Sequence, residues 1–330
     1  MRLLEFEYFE PENLQEAINL ISGFNSRYGI IAGGTDLIIA MKQRLRNFEC
    51  LISLDKIPAL KKIREETGNI IIGSMNTLED IVNSELIKEK LPALKQAAWE
   101  VGSPLLRSIA TIGGNICLNT RCKFYNQSEF WRSSREPCCK AGGHQCHVTN
   151  QKDACYSTFV ADTVPALIAY GASIKLAGTD EIRKLALAEF YTGDGRAPNQ
   201  LIKGNNELLT EIAIPIPTDN VRSVYHKYRV RESIDFPLIG VAVMMKIKEE
   251  KICQDARIVL TGVGSAPMET KLAREKLIGR QLNPELITGA AATAVTEIHP
   301  VKTNLEAPNY KRIIAQLMVE KAMLDVGGFN

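Results

Sequence analysis

The chain has 330 residues, 45% hydrophobic and 24% charged, with a formal net charge of +2. That composition is typical of a folded globular chain, long enough for two or three domains with separate cores. Acids and bases are interspersed without the basic stripe of a nucleic-acid binder, and no apolar run reaches the roughly 18 residues of a membrane span.

The opening MRLLEFEYFEPENLQ has one early arginine, several acids and no apolar h-region. No secretory signal is read, and a reducing cytoplasmic location is expected. Residues 1–55 then read as strand–helix–strand–helix–strand. Pro11 suits a first helical position, and Leu14, Ala17, Ile18 and Ile21 recur at helical spacing up to Gly23. Tyr28–Ala32 is a short apolar strand that runs into Gly33-Gly34-Thr35-Asp36 and the helix LIIAMKQRL, and Leu51–Leu54 is another strand. Paired glycines admit a ligand close to the backbone, and free N–H groups at a helix start favour an anion. A plain turn before a helix accounts for the same residues. The pattern is neither G-x-G-x-x-G nor a Walker loop, so neither NAD nor ATP is indicated.

Residues 56–115 continue as mixed α/β. Ile63–Gly73 predicts a hairpin turning at Thr67-Gly68-Asn69, with Ile70–Ile72 as a buried strand. Asn76-Thr77 caps a helix from Leu78 to about Ile87, and a helix over Pro92–Val101 closes at Gly102. Thr111-Ile112-Gly113-Gly114-Asn115 is a second Gly-Gly turn. Two such turns could flank the pyrophosphate of a dinucleotide.

Six of the eight cysteines follow: Cys117, Cys122, Cys138, Cys139, Cys146 and Cys155. The stretch between them is polar, aperiodic and contains Trp131, His144 and His147. Irregular segments this long inside a domain are functional or disordered, and cysteines with aromatics argue against disorder. Three ties are open. Disulfides fit a reducing location poorly. Zinc prefers tight C-x2-4-C pairs, whereas 15, 7 and 8 residues separate Cys122, Cys138, Cys146 and Cys155. His147 beside Cys146 keeps zinc in play. An iron–sulfur cluster on four thiolates tolerates wide spacing and leads the three.

Beyond the loop, residues 161–167 start a helix, with Asp162 placed to cap it. Gly171–Leu176 and Leu208–Ile214 read as strands, and IPIPTDN at 214–220 as a linker. Residues 221–330 predict a separate two-layer unit: strands at Tyr225–Arg231, Gly240–Ile247 and Ala256–Gly262, then helices at Met268–Ile278, Pro284–Ile298 and Tyr310–Val326. In the last helix Ile313, Ile314, Leu317 and Leu324 mark the apolar face, with Val319 off it. His226, His299 and Cys253 read as packing or surface residues.

Taken in order, IIAGGTDLIIAMK, IGSMNTLEDI, TIGGNI, ADTVPALIAYGA, LLTEIAIP and YHKYRVRESIDFPLIGVAV resemble the FAD subunits of the molybdenum hydroxylase (xanthine oxidase) family, over nearly the whole chain. The resemblance implies an α+β fold: FAD-binding subdomains over 1–55 and 56–220, then a C-terminal domain over 221–330 with a three-stranded antiparallel sheet packed with helices. It implies flavin contacts from Ile30, Ile31, Ala32, Gly33, Gly34, Thr35 and Asp36, and from Thr111, Ile112, Gly113, Gly114 and Asn115. Val101, Asp162, Leu209 and Lys227 would complete the site. His226 competes with Lys227, which otherwise reads as a solvated strand lysine. No residue of this chain is expected to be catalytic.

In that family a helix-starting Asp-x-x-Pro follows closely on TIGGN, whereas here the segment 117–158 stands between Asn115 and Asp162. An insertion beginning NTRCKFYNQSEFW is similar to that of the β subunits in the 4-hydroxybenzoyl-CoA reductase branch. It implies a 4Fe–4S cluster on Cys122, Cys138, Cys146 and Cys155. Cys139 departs from that pattern, which has an apolar residue there, so it competes with Cys138; Cys117 reads as a buried thiol. The resemblance further implies a small 2Fe–2S subunit, a large subunit with the molybdopterin cofactor, a dimer of heterotrimers, and a ferredoxin-type donor. The reaction would be reductive dehydroxylation of 4-hydroxybenzoyl-CoA to benzoyl-CoA, in anaerobic aromatic degradation. A xanthine- or aldehyde-type hydroxylase, or a flavoprotein with a structural zinc loop, are the alternatives.

Overall fold

The computed structural model describes residues 2–24, 27–179, 181–196, 206–302 and 307–329. The first unit holds β1 (Glu7–Phe9), α1 (Leu14–Gly23), β2 (Tyr28–Ile31), α2 (Leu37–Lys42) and β3 (Cys50–Ser53). Its strands form a parallel sheet in the order β1-β3-β2. Helix α1 starts on Asn13, whose side chain accepts from the Glu16 N–H, and buries Ala17, Ile18 and Ile21 as the 3.6 period requires. β3 is buried on both faces, which explains the unbroken apolar run Cys50-Leu51-Ile52.

The second unit begins with the hairpin β4 (Ile63–Glu66) and β5 (Asn69–Gly73). Thr67 and Gly68 both have positive φ, the primed turn that matches strand twist. Helices α3 (Leu78–Asn83), α4 (Glu85–Lys90), α5 (Pro92–Trp99), α6 (Pro104–Arg107), α7 (Ile112–Ile116), α8 (Glu129–Arg132) and α9 (Thr163–Ala169) follow. β6 (Ser173–Ala177), β7 (Ile182–Ala186) and β8 (Leu208–Pro215) complete an antiparallel sheet in the order β4-β5-β8-β6-β7. Thr77 and Asp80 close a reciprocal capping box at the start of α3. The 214–220 linker begins later than expected, because Ile214 and Pro215 still belong to β8.

The third unit carries β9 (Val221–Tyr228), β10 (Ile239–Ile247), β11 (Cys253–Thr261) and β12 (Met268–Glu269), then α10 (Lys271–Leu277), α11 (Pro284–Ala294) and α12 (Pro308–Gly327). Its antiparallel sheet has four strands, β12-β11-β10-β9, not three. Met268 and Glu269 pair with Leu260 and Val259 before the helix begins, so the expected helix start is a strand. The face of α12 also differs. Val319 is fully buried with Ala315, Ala322 and Met323, while Ile313 and Leu317 are exposed. Small residues let α12 lie close to the sheet; Ile314 and Leu324 pack against the same core, so the expected face holds at those two positions and fails at Ile313 and Leu317.

β10 joins the last two units. Val241, Val243 and Met245 face the helices of the third unit, while Ala242 and Met244 pack into the core of the second. Gln96 on α5 accepts from the Tyr225 N–H at 2.8 Å, and Phe159 exchanges backbone bonds with Gly262 and Gly264 at 2.9 and 2.8 Å. The second and third units are thus packed as one body. None of the described helices is long and apolar enough to cross a membrane.

Candidate functional site

β2 delivers Ile30 and Ile31, and the chain leaves the sheet at Ala32. Among the described residues, the N–H groups of Gly33, Gly34, Thr35 and Asp36 have no hydrogen-bond partner. Gly34 has φ +68°, and such a turn points successive N–H groups into one concavity, a cradle for an anion. A Cβ on Gly33 would stand 2.0 Å from the Ile109 carbonyl oxygen. Only glycine lets this turn press against the segment that leads to the second glycine pair.

The second pair is not the free turn that the sequence suggests. It forms the first turn of α7, capped by Thr111, whose Oγ1 accepts from the Gly114 N–H at 3.1 Å. The Gly113 N–H donates to the Ser74 carbonyl at 2.9 Å. Both donors are spent inside the protein. Gly113 is needed for packing, since a Cβ there would meet Ser74 O at 2.7 Å, whereas Gly114 is exposed. Ile112 is buried beneath them. Asn115 Oδ1 accepts from Thr163 N–H and Oγ1 at 3.3 and 2.7 Å, joining the residues that flank the cysteine-rich segment.

Asp162 holds the residue position before α9 but makes no cap bond. Its carboxylate instead accepts from Tyr225 OH at 2.7 Å and Lys227 Nζ at 3.1 Å. Tyr225 can reach it because Gly240 leaves room; a Cβ there would meet the phenol oxygen at 2.4 Å. The Lys227 side chain is fully buried, not a solvated strand lysine. Lys227 also donates to the Glu100 carbonyl at 2.9 Å, beside Val101. His226 points the other way, bonded to Asp325 at 2.5 Å. Burial pushes the Asp162 carboxyl up to about 6, with Lys227 and Tyr225 opposing the shift. Leu209 lies buried in β8 and packs in the second core, which Val101 borders.

Three residues that spacing did not single out belong with these. Arg121 ion-pairs with Asp36 and lies over the Phe236 ring at 4.8 Å. Burial lowers its guanidinium to about 10. Its Nε is buried without a hydrogen-bond partner, as is Ser74 Oγ beside Gly113. An orphaned guanidinium donor beside the first glycine turn and an orphaned hydroxyl beside the second pair are what a bound polar ligand would satisfy, so the residues present fit a dinucleotide such as FAD. The third is Lys140, described below.

The cysteine-rich segment is tied at its neck, where Arg121 and Thr158 exchange backbone bonds at 2.7 and 2.8 Å. Arg132 donates to the Gln43 and Arg44 carbonyls at the end of α2. Within the segment Cys122, Cys138, Cys139, Cys146 and Cys155 line one cavity with Phe124, Tyr125, Lys140 and His147. Burial raises the Cys122 thiol, against the N–H groups of Phe124 and Tyr125. Cys146 is also pushed up by burial, but bonds from Val148, Thr149 and Tyr156 outweigh this and shift it down. Backbone donors aimed at sulfur are the usual surroundings of cluster thiolates. Among the described residues no three His, Cys, Asp or Glu side chains are grouped to hold one metal ion. A cubane places its four thiolates on four separate irons, so its sulfurs stand further apart, and a five-cysteine lining fits that donor set.

Cys138 and Cys139 both reach the cavity. His147 lines it, but its Nε2 is bonded to the Glu136 carbonyl at 2.8 Å. His144 lies outside, paired with Asp153. Cys117 packs against the second core, and burial pushes its thiol to about 12. Lys140 Nζ donates to Thr120 Oγ1, Gly195 O, Asn119 Oδ1 and Ser157 Oγ at 2.5, 2.6, 2.9 and 3.3 Å. Burial lowers its ammonium to about 8, with Cys155 opposing.

Known proteins share this architecture end to end. Residues 4–217 match the FAD binding domain in molybdopterin dehydrogenase, and residues 223–326 the CO dehydrogenase flavoprotein C-terminal domain. The chain is similar to the nicotinate dehydrogenase FAD-subunit of Eubacterium barkeri, 26% identical and covering 99% of each chain. It is similar to the carbon monoxide dehydrogenase medium chain of Hydrogenophaga pseudoflava, 28% identical over 96% of each. The solved structure of carbon monoxide dehydrogenase from H. pseudoflava superposes with TM-score 0.82 at 26% identity, covering 99% of both chains. The free N–H cradle, the orphaned Arg121 donor beside it and these matches lead to one assignment: the chain belongs to the molybdenum hydroxylase family, as a FAD-binding subunit.

Proposed function

We propose that this chain is the FAD and 4Fe–4S electron-transfer subunit of a molybdenum-dependent 4-hydroxybenzoyl-CoA reductase. The observation that carries the reading is the cavity lined by five cysteines, in a segment fastened to the flavin turn through Arg121 and Asp36. When bound, FAD and the cluster would supply carriers between a ferredoxin-type donor and the 2Fe–2S clusters of a small partner subunit. Substrate chemistry would sit on a large subunit with the molybdopterin cofactor: two electrons and two protons convert 4-hydroxybenzoyl-CoA to benzoyl-CoA and water. The subunits would assemble as a dimer of heterotrimers in the cytoplasm.

This chain's own residues do the holding. Gly33 to Asp36 would receive the anionic part of FAD on free N–H groups. Arg121 Nε and Ser74 Oγ would gain partners. Lys227, Asp162 and Tyr225 form one buried network. Cys122, Cys146, Cys155 and either Cys138 or Cys139 would take the irons.

The relatives' reactions support a second reading, an FAD subunit of a hydroxylase acting on a nicotinate-like or aldehyde substrate. The test is anaerobic co-purification with the small and large subunits, followed by assay with a reduced low-potential donor. Formation of benzoyl-CoA from 4-hydroxybenzoyl-CoA, with about four irons and four sulfides on this chain, is expected. Oxidation of a heterocycle or aldehyde without dehydroxylation would establish the second reading. FAD with zinc and no sulfide would overturn the cluster.

A further inference from the structure

Lys140 is only 8% exposed, and it is a wall of the cysteine cavity. An ammonium has three protons to donate, and here four neutral oxygens surround it. These dipoles fix its position but leave its charge uncancelled. No carboxylate forms an ion pair with it among the described residues. Its electrostatic neighbours are the Cys155 and Cys122 side chains, which favour its charge, and the cations Arg46 and Arg121, which oppose it. Asp194 feels it as well, but that carboxylate is paired with Arg196 at 2.6 Å. Isolated buried charges cost several kcal/mol even after relaxation, so they are retained where a countercharge meets them. Two nearby arginines make the deficit of negative charge larger.

We propose that Lys140 is the built-in counter-ion of an anionic cluster in this cavity, and that it raises the potential at which that cluster accepts an electron. The inference rests on the cluster reading above. It adds that the occupant must be net negative, as a cubane with four thiolates is, and that the charge on Lys140 tunes it. Reduction adds one electron from the donor to the cluster, with no bond made or broken. The product is more negative by that electron, so a fixed cation held against it favours the reduced form. Thr120, Ser157 and Gly195 act as positioning residues, because their oxygens hold the ammonium at the cavity wall.

The test uses the full chain, purified anaerobically with its FAD, with iron and sulfide analysis and an EPR-monitored redox titration at one pH. Lys140→Met is expected to keep the irons and lower the midpoint. At the wild-type midpoint the reduced-to-oxidised ratio would fall about tenfold, equivalent to about 59 mV for one electron. Lys140→Arg, which keeps the charge, is expected to restore most of the shift. Loss of iron in Lys140→Met with retention in Lys140→Arg would also support the countercharge. A fully loaded Lys140→Met with an unchanged midpoint would overturn the proposal and leave the cluster reading standing. Loss of iron in both variants would make Lys140 a packing element and overturn it too. A wild-type chain without iron and sulfide would instead remove the cluster reading itself.

Discussion

Arg121 and Asp36 form an ion pair across 85 residues of chain, joining the neck of the cysteine-rich segment to the end of the first glycine turn. Arg121 precedes Cys122, so the same backbone that delivers a thiol to the cavity delivers a guanidinium to the first glycine turn. Its unpartnered Nε gives it one donor in reserve. Arg121→Met is expected to weaken FAD binding about tenfold or more, the value of a hydrogen bond to a charged group. Iron content should be unchanged. Fluorescence titration of flavin into the deflavinated chain measures the first, and iron analysis the second. Unaltered flavin affinity would show that Arg121 serves only the neck.

Gly33→Ala puts a methyl 2.0 Å from a backbone carbonyl oxygen, where no side chain can yield. Overpacking of this kind costs about 1–3 kcal/mol. The expected result is a chain that folds with a lower Tm and loses flavin on gel filtration. Gly23→Ala is the control, because nothing lies within 4 Å of its added Cβ and α1 tolerates alanine.

The Asp162–Lys227 pair is buried on both sides. Removing one partner of a buried pair strands the other, at about 3–5 kcal/mol. Lys227→Met should therefore unfold at markedly lower urea concentration than Asp162→Asn, which leaves no stranded carboxylate and a lysine still bonded to the Glu100 carbonyl. Equal losses would argue that the pair is weakly coupled.

Asp162 also sets a pH dependence. Its folded pKa of about 6 lies above the unfolded value near 3.8. The folded state thus binds this proton more tightly than the unfolded chain does. The stabilisation is full below the unfolded value and is lost as pH rises through about 6, a change on the order of 3 kcal/mol. Urea unfolding of the deflavinated chain at pH 4, 5, 6 and 7 reads it, as the difference in slope between wild type and Asp162→Asn. An identical slope in the variant would assign the pH dependence elsewhere.

Serine replacements sort the cysteines. Cys122→Ser, Cys146→Ser and Cys155→Ser are each expected to abolish the reduced-cluster EPR signal. Cys117→Ser should keep it, since that thiol packs in the second core. Of Cys138→Ser and Cys139→Ser, one should lose the signal and the other retain it, because both line the cavity and one cluster needs only four thiolates.

Periodicity reached the elements it governs. The first unit was legible because α1 is amphipathic and β3 is an apolar run between turn residues. The third unit's extra strand was not, because two residues carry no period and only the partner strand defines them. The site divided the same way. Glycine pairs are visible in sequence, but whether their N–H groups stay free depends on a distant carbonyl such as Ser74 O. Asp162 looked like a cap because its neighbours are helical; its real partners lie on β9, more than 60 residues away. No pattern in the sequence marks Arg121 or Lys140 for a role of their own, and only folding shows one reaching Asp36 and the other buried at the cavity wall.

The two backbone bonds between Arg121 and Thr158 have a bearing on descent as well as on structure. They bring the ends of a long segment to the separation of neighbouring strands, and Asn115 grips Thr163 directly behind them. A host protein sees little more than a hairpin junction there. A segment with such ends can be gained or discarded in one genetic step without re-laying the rest of the fold. By the same logic, deleting 122–157 and rejoining Arg121 to Thr158 through a short turn should leave a folded chain that still binds FAD.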